Sequence, residues 1–446
     1  MLEILPLLQC LQPYLSATTL SQFERVIVGV LGMTGRVTML GISRWAGACG
    51  SYRTVQRFFY SSLPWAELFW LFFRQELHRS GDSYVLAGDE VVVTKVGRQT
   101  FGVDRFFSSL YGKPVPSVAF FTLSLVSIQA RHSFPLRMEQ VVKTLTTSTP
   151  APLSATTTLL PKRKPGRPKG SQNKNKAVVP LTPELLHIQA MLQAQSRLMN
   201  ASIAPVYLVL DGHFGNNNAL LMTRACDLHL ISKLRSDSAL HFPDVRPYQG
   251  HGPHRKYGPR LDFRNIPAAY LKQTTLEDQM QTHIYQMQLL HKDFGQALNV
   301  VVIVKTNLKT QTHSHVVLFS SDLDLTYDLL IDYYALRFQI EFNFRDAKQY
   351  WGLEDFMNVT QTAVTNAANL SLFMVNLSYR VLRDLRQSDP LLSVLDLKAH
   401  ARGYQYVTQT IKLLVQKPEP ILLQQIFGKV TALGRIHPTQ PFCVPS

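Results

Sequence analysis

The sequence predicts an α/β protein with helical ends, and three observations predict it. Residues 1 to about 80 carry the apolar spacing of helices. Two apolar runs, Tyr84 to Ala87 and Val206 to Leu210, each lead into an aspartate. The second stops at Asp211-Gly212, the way a buried parallel strand ends. From Leu329 to Trp351 the apolar residues Leu329, Tyr333, Leu336, Ile340, Phe344, Ala347 and Trp351 recur at spacings of three and four, which predicts one long helix. Between Leu228 and about Leu298 the chain is again strand-like, though irregular and basic.

In chain order, Ser21 and Glu24 predict a capping box opening an N-terminal helix. Gly41 to Phe59 reads as two short helices broken at Gly50-Ser51. The second carries Arg53, Thr54, Gln56 and Arg57, the pattern of a helix-turn-helix reader of DNA. Strands are expected at Tyr84 to Val93, Phe101 to Leu110 and Val118 to Ile128, with turns over Gly112 to Pro116. Residues 144–158 then hold nine Ser or Thr, and residues 162–176 hold seven Lys or Arg without an acid, the composition of a disordered insert. Thr182-Pro183-Glu184 caps a helix to about Asn200. Val300 to Val304 and Val316 to Phe319 are two more strands, and the chain after Trp351 is mostly helical.

Composition narrows the function. With 46 Lys and Arg against 30 Asp and Glu, the net charge is +16 and the partner expected is a polyanion, nucleic acid ahead of an anionic membrane. Cys10, Cys49, Cys226 and Cys443 lie far apart with no CxxC, which argues against a zinc finger or a disulfide framework and fits a reducing cytosol. No apolar run approaches the roughly 20 residues of a membrane span, and no leader pattern opens the chain; a soluble, internal protein is expected. Gly29, Gly32 and Gly35 match neither a dinucleotide fingerprint nor a P-loop, no Gly-x-Ser-x-Gly elbow occurs, and the histidine pairs 251/254 and 313/315 have no acid or cysteine at metal spacing.

The chemistry is carried by acids and by one helix face. Tyr334, Arg337, Glu341 and Lys348 fall within an arc of roughly 60° over about 21 Å of helix. They form a seam of mixed charge between the apolar stripe and a wet stripe of Asp332, Gln339, Asn343 and Asp346. Asp89 in the first strand, Asp211 just past a buried strand and Glu341 on the seam can converge although far apart in sequence. Oxygen ligands of this kind suit Mg²⁺ or Mn²⁺, and two such ions clamp the attacking and leaving oxygens of an in-line phosphoryl displacement. Asp82 competes as first acid but precedes its strand.

The pattern Tyr334-x2-Arg337-x3-Glu341-x6-Lys348, followed by Gly352-Leu353-Glu354-Asp355, resembles the signature helix of bacterial insertion-sequence transposases of the DDE type. Phe338 stands where these proteins often carry Trp. Lys95 and Gly97 after Asp89 also resemble the family's first catalytic block. The resemblance covers roughly residues 15 to 385 and implies a ribonuclease-H-like catalytic core interrupted by the β-rich insertion, with helical N-terminal and C-terminal domains. The implied layout is a DNA-binding domain (1–80), the core in three parts (81–143, 179–230, 299–355), a disordered basic insert (144–178), the insertion (231–298) and a helical C-terminal region (356–446).

Carried over residue by residue, the resemblance makes Asp89, Asp211 and Glu341 the ligands of two Mg²⁺ or Mn²⁺ ions, with Tyr334, Arg337 and Lys348 holding phosphates of the transposon end. The implied activity is metal-dependent cleavage at element ends and joining of the freed 3′-hydroxyls to target DNA. Its setting is a homodimer on paired ends, in a prokaryotic cytoplasm at the nucleoid. Related enzymes use an insertion-domain Trp to receive a flipped base; this chain has only Trp45, Trp65, Trp70 and Trp351, so either Tyr257 or Phe263 replaces it or excision takes a route without the hairpin. Arg255 and Lys256 add basic charge beside Tyr257. Lys164 to Gly170, centred on Arg167, resembles an AT-hook for the minor groove, or else is a basic linker with phosphate affinity alone. Two other functions remain open: a ribonuclease-H-like nuclease that does not join, and a former transposase kept as a DNA-binding protein.

Overall fold

The computed structural model describes residues 4–47, 50–108, 111–143, 180–200, 203–247 and 255–437. The Ser/Thr- and Lys-rich insert with Arg167, and the histidines at 251 and 254, lie outside the described residues.

The N-terminal region folds as α1 (Ile4–Leu8), α2 (Ala17–Gly32), α3 (Met39–Trp45), α4 (Tyr52–Tyr60) and α5 (Trp65–Phe72). The expected capping box at Ser21 is wrong. Helix α2 starts a turn earlier, where Ser16 accepts the amide of Thr19 at 3.1 Å, and Ser21 is interior. The break between α3 and α4 is as expected, with Ser51 capping α4. Ile42, Val55, Phe58 and Phe59 are buried, leaving Arg53 and Arg57 exposed.

The middle of the chain contributes β1 (Tyr84–Thr94), β2 (Asp104–Ser108), β3 (Lys113–Ser127), β4 (His132–Val141), α6 (Pro183–Met199), β5 (Tyr207–Val209), α7 (Asn217–Arg224) and β6 (His229–Leu234). Strand β4 and helix α7 were not expected, and the turn foreseen over Gly112 to Pro116 shrinks because β3 already begins at Lys113. Thr182 caps α6 as anticipated. Strand β3 pairs antiparallel with β1 and β4, while β1, β5 and β6 run parallel, giving a five-stranded unit ordered β4-β3-β1-β5-β6.

The sheet then continues through β7 (Leu240–Pro243), β8 (Tyr257–Arg260), β9 (Leu271–Glu277), β10 (Met280–His291), β11 (Ala297–Asn307) and β12 (His313–Ser320). Strand β12 pairs antiparallel with β6, so β7 to β12 extend the same sheet. The chain ends with α8 (Tyr327–Leu336), α9 (Gln339–Trp351), α10 (Gln361–Leu385), α11 (Val394–Leu413) and α12 (Pro420–Ala432). No described helix is long and apolar enough to cross a membrane.

The single helix expected over 329–351 is two helices. At the junction the hydrogen bonds switch to the tighter i→i−3 pattern: Phe338 to Ala335, Ile340 to Arg337 and Glu341 to Phe338, at 3.0–3.1 Å. The change separates two packing environments. Leu330 and Leu336 of α8 join Val85, Ala87, Val209, Ile231 and Leu318 in a small core cluster. Ile340, Phe344, Ala347 and Trp351 of α9 join the main core. Leu329, expected to be apolar-facing, is exposed, and Leu330 is buried in its place. Asn343, expected to face water, is buried and donates to Ser133 on β4 at 2.8 Å.

Candidate active site

Asp89 lies in the middle of β1, which the neighbouring sheet holds closely. A Cβ at Gly88 would stand 2.8 Å from both Leu210 and Phe121, so a side chain beside the acid would have to push these two aside. Asp211 follows β5 and caps a short 3₁₀ turn, its Oδ1 accepting the amide of His213 at 3.1 Å. Its carbonyl accepts the hydroxyl of Ser232 on β6 at 2.6 Å. The turn passes so near β6 that a Cβ at Gly215 would sit 2.2 Å from the Lys233 carbonyl. Parallel pairing of Leu86 with Leu208 and Ala87 with Val209 brings these two aspartates to the same part of the sheet.

Arg337 sits at the α8–α9 junction and joins the strands to the helix. Its Nη1 donates to Asp89 Oδ2 at 2.6 Å and its Nη2 to Glu341 Oε1 at 3.2 Å. The guanidinium Nε is buried with no partner. Burial pushes the Asp89 carboxyl up to about 6; Arg337 and the Glu90 amide oppose that rise, and the Asp211 and Glu341 charges add to it. Burial also raises the Tyr334 phenol, while Arg337 beside it pulls the other way. Asp89, Asp211, Glu341, Tyr334 and Arg337 therefore influence one another's charge.

The other expected residues lie elsewhere. Lys348 is held by the Val92 carbonyl at 3.2 Å and by Glu354 at 3.1 Å, farther along β1. Lys95 is buried; its amine donates to the carbonyls of Glu354 and Phe356 and lies 3.4 Å from the Phe356 ring centroid, and burial lowers it to about 8. Asp82 accepts the hydroxyl of Ser127 away from the group. Arg53 and Arg57 are on α4, which packs against α2, α3 and α10. Arg255 and Lys256 are exposed next to β8, at the far end of the sheet.

A cleft of about 770 Å³ opens over Asp211, Tyr334 and Arg337, and its walls include His213, Lys233, Arg235 and His315. Beside it, sharing His315, is a hollow of about 970 Å³ with Arg260, Phe263, Arg264 and His313. Phe263 stacks face to face on His315, with centroids 4.5 Å apart. Sequence reading missed Lys233, Arg235, Arg260 and Arg264; the general basicity of the insertion was the only signal for them.

Three carboxylates of hard-oxygen character around one guanidinium leave an excess of negative charge, which fits a divalent cation. As they stand, the described residues include no group of three His, Cys, Asp or Glu arranged to hold a metal. Arg337 occupies the facing oxygens of Asp89 and Glu341 instead.

Residues 6–292, well over half of the chain, match the DDE superfamily endonuclease family. The matched range contains Asp89 and Asp211 and stops before Glu341. No curated protein matches the chain. The mixed α/β sheet with its flanking helices is consistent with a DDE nuclease fold, and enzymes of this kind are metal-dependent nucleases that generally use divalent ions. The chain belongs to the DDE superfamily endonuclease family.

Proposed function

We propose that this protein is an insertion-sequence transposase that cuts at the ends of its element and joins the freed 3′-hydroxyls to target DNA. The observation that carries the reading is the pairing of Arg337 with both Asp89 of β1 and Glu341 of α9, in the group whose charges Asp211, just past β5, also feels. The five-stranded unit β4-β3-β1-β5-β6 is read as the ribonuclease-H-like core, since it bears both strand-borne acids and is packed with apolar side chains on both faces.

Asp89, Asp211 and Glu341 would hold the divalent ions, which when bound supply charge neutralisation at the attacking and leaving oxygens of the phosphoryl group. Tyr334 and Arg337 orient the phosphates, the planar fork of Arg337 suiting two oxygens at once; Lys348 joins them as a point charge once it leaves Glu354 and the Val92 carbonyl. Lys233 and Arg235 carry the positive wall of the cleft toward the insertion. There Phe263, which lines the hollow sharing His315 with the cleft, is the aromatic we assign to receive a displaced base. Two ends joined in one event require two active sites, so the working form is a homodimer on DNA.

The test is incubation of labelled element-end DNA and a target plasmid with Mg²⁺ or Mn²⁺. Cleavage with joined products is expected. Cleavage without joining would favour the second reading, a nuclease that only hydrolyses, which the endonuclease description of the family makes the main rival. Absence of any metal-dependent cleavage by the folded protein would defeat both.

A further inference from the structure

The Arg337 guanidinium stands where an acidic cluster would otherwise be unneutralised. One nitrogen takes Asp89, another takes Glu341, and the third, Nε, is buried without a partner. The side chain is only 14% exposed. No other cation is engaged with these two carboxylates among the described residues: Lys348 is spent on Val92 and Glu354. Arginine stays charged and can span two acceptors, which a lysine cannot do in the same way.

We propose that Arg337 is the resident cation of the acidic cluster and leaves it for a DNA phosphate, so that DNA binding and divalent-metal binding strengthen one another. This inference rests on the reading of the cluster as a metal site. A divalent ion using Asp89 and Glu341 competes with the guanidinium for the same oxygens and meets its charge at close range. A phosphate in the adjoining cleft offers the guanidinium a bidentate partner of equal quality. Once Arg337 turns to it, the carboxylates are released to the ion. Coupling of this kind is reciprocal: whatever factor DNA adds to metal affinity, metal adds to DNA affinity.

The experiment is calorimetric titration of Mn²⁺ into the full chain, with and without a saturating short DNA duplex, for wild type, Arg337→Gln and Asp211→Asn. The duplex is expected to tighten Mn²⁺ binding to wild type by about tenfold, within the usual span of such couplings. Arg337→Gln should bind Mn²⁺ about tenfold more tightly than wild type without DNA and respond little to the duplex. Equal Mn²⁺ affinity of wild type with and without duplex overturns the inference, a comparison that needs no variant to fold. So does an Arg337→Gln protein, with wild-type circular dichroism, that binds Mn²⁺ no more tightly. If wild type binds no Mn²⁺, or if Asp211→Asn leaves binding unchanged, the metal-site reading itself has failed.

Discussion

Trp65 donates its indole N–H to Asn366 Oδ1 at 2.8 Å, and the same amide donates from Nδ2 to the carbonyls of Phe59 and Ser61, each at 2.8 Å. Both side chains are buried. The C-terminal end of α4 is thereby fastened to α10, and the candidate DNA-reading helix is held by the element that also packs on α9. Asn366→Leu would leave the indole N–H and the α4 carbonyls unpaired. Each buried unsatisfied group costs about 1–3 kcal/mol, so a loss of at least about 2 kcal/mol is expected in urea unfolding. Trp65→Phe removes only one of the bonds and should cost less. A midpoint for Asn366→Leu equal to wild type would show the network to be dispensable.

Arg53 and Arg57 test the N-terminal reader. Both are exposed, and the hydrogen bond of Arg53 is a local one to Gln56 at 3.4 Å, so alanine at either site should leave the fold intact. If each contacts one phosphate, each substitution reduces the salt dependence of DNA binding by about one unit of slope. Fluorescence anisotropy over a salt series reads this directly. Unchanged slopes in both variants would remove α4 from the interface.

The strand before Asp211 and the contact between Arg337 and Glu341 were readable in the sequence because their signals are local. A continuous apolar run ending in Asp211-Gly212 reports a buried parallel strand, and the spacing of Tyr334, Arg337 and Glu341 survives in the fold as a contact. The break between α8 and α9 was not readable, since spacings of three and four are kept on both sides of a 3₁₀ turn. Asn343 was misread because a polar residue is buried only through a partner, and its partner Ser133 is 210 residues away. Strand β4 escaped because His132, Pro135 and Arg137 dilute its apolar pattern; stacking of His132 on Tyr379, with centroids 4.0 Å apart, is what buries that ring. The basic walls of the cleft come from strands distant in sequence, so no single stretch announces them.

Asp89 gives a pH dependence with a definite sign. Its folded carboxyl, raised to about 6 by burial, exceeds the unfolded value of about 3.9. The folded state therefore holds the extra proton between about pH 4 and 6. The stability from this group is full below about pH 4 and is lost as pH rises through 6. In metal-free buffer, Asp89→Asn is neutral throughout and lacks this loss, so its melting temperature should gain on wild type from pH 4 to 7. A difference that stays flat, or shrinks, over that range would contradict the burial of this carboxyl.

Residues 144–176 lie outside the described part, but their removal is informative. If the segment is a basic tether, its deletion weakens DNA binding and flattens the salt dependence, with melting temperature unchanged. If the deletion yields no folded protein, the segment belongs to the core. Competition with an A·T-rich duplex separates the AT-hook from a simple linker, because only the former prefers a narrow minor groove.

The seam between α8 and α9 allows binding and chemistry to be separated. Glu341→Gln, Asp89→Asn and Asp211→Asn keep side-chain shape and remove a charge that a divalent ion requires. Changes to groups merely supporting metal ligands cost about 10–100-fold, so each of these should lower cleavage by at least about a hundredfold. End binding should persist in all three. Arg337→Ala and Lys348→Ala remove phosphate partners and should weaken the end complex, with metal binding kept in Lys348→Ala and tightened in Arg337→Ala. The assay is cleavage of labelled end DNA in Mg²⁺ beside a gel shift in Ca²⁺, which offers the same hard-cation charge for complex formation. Glu341 carries the sharpest outcome, because the family match ends before it and its place in the triad rests on its contact with Arg337. A Glu341→Gln protein that cuts at the wild-type rate would mean that this carboxylate only steadies Arg337, and that the third acid must be sought elsewhere around the cleft.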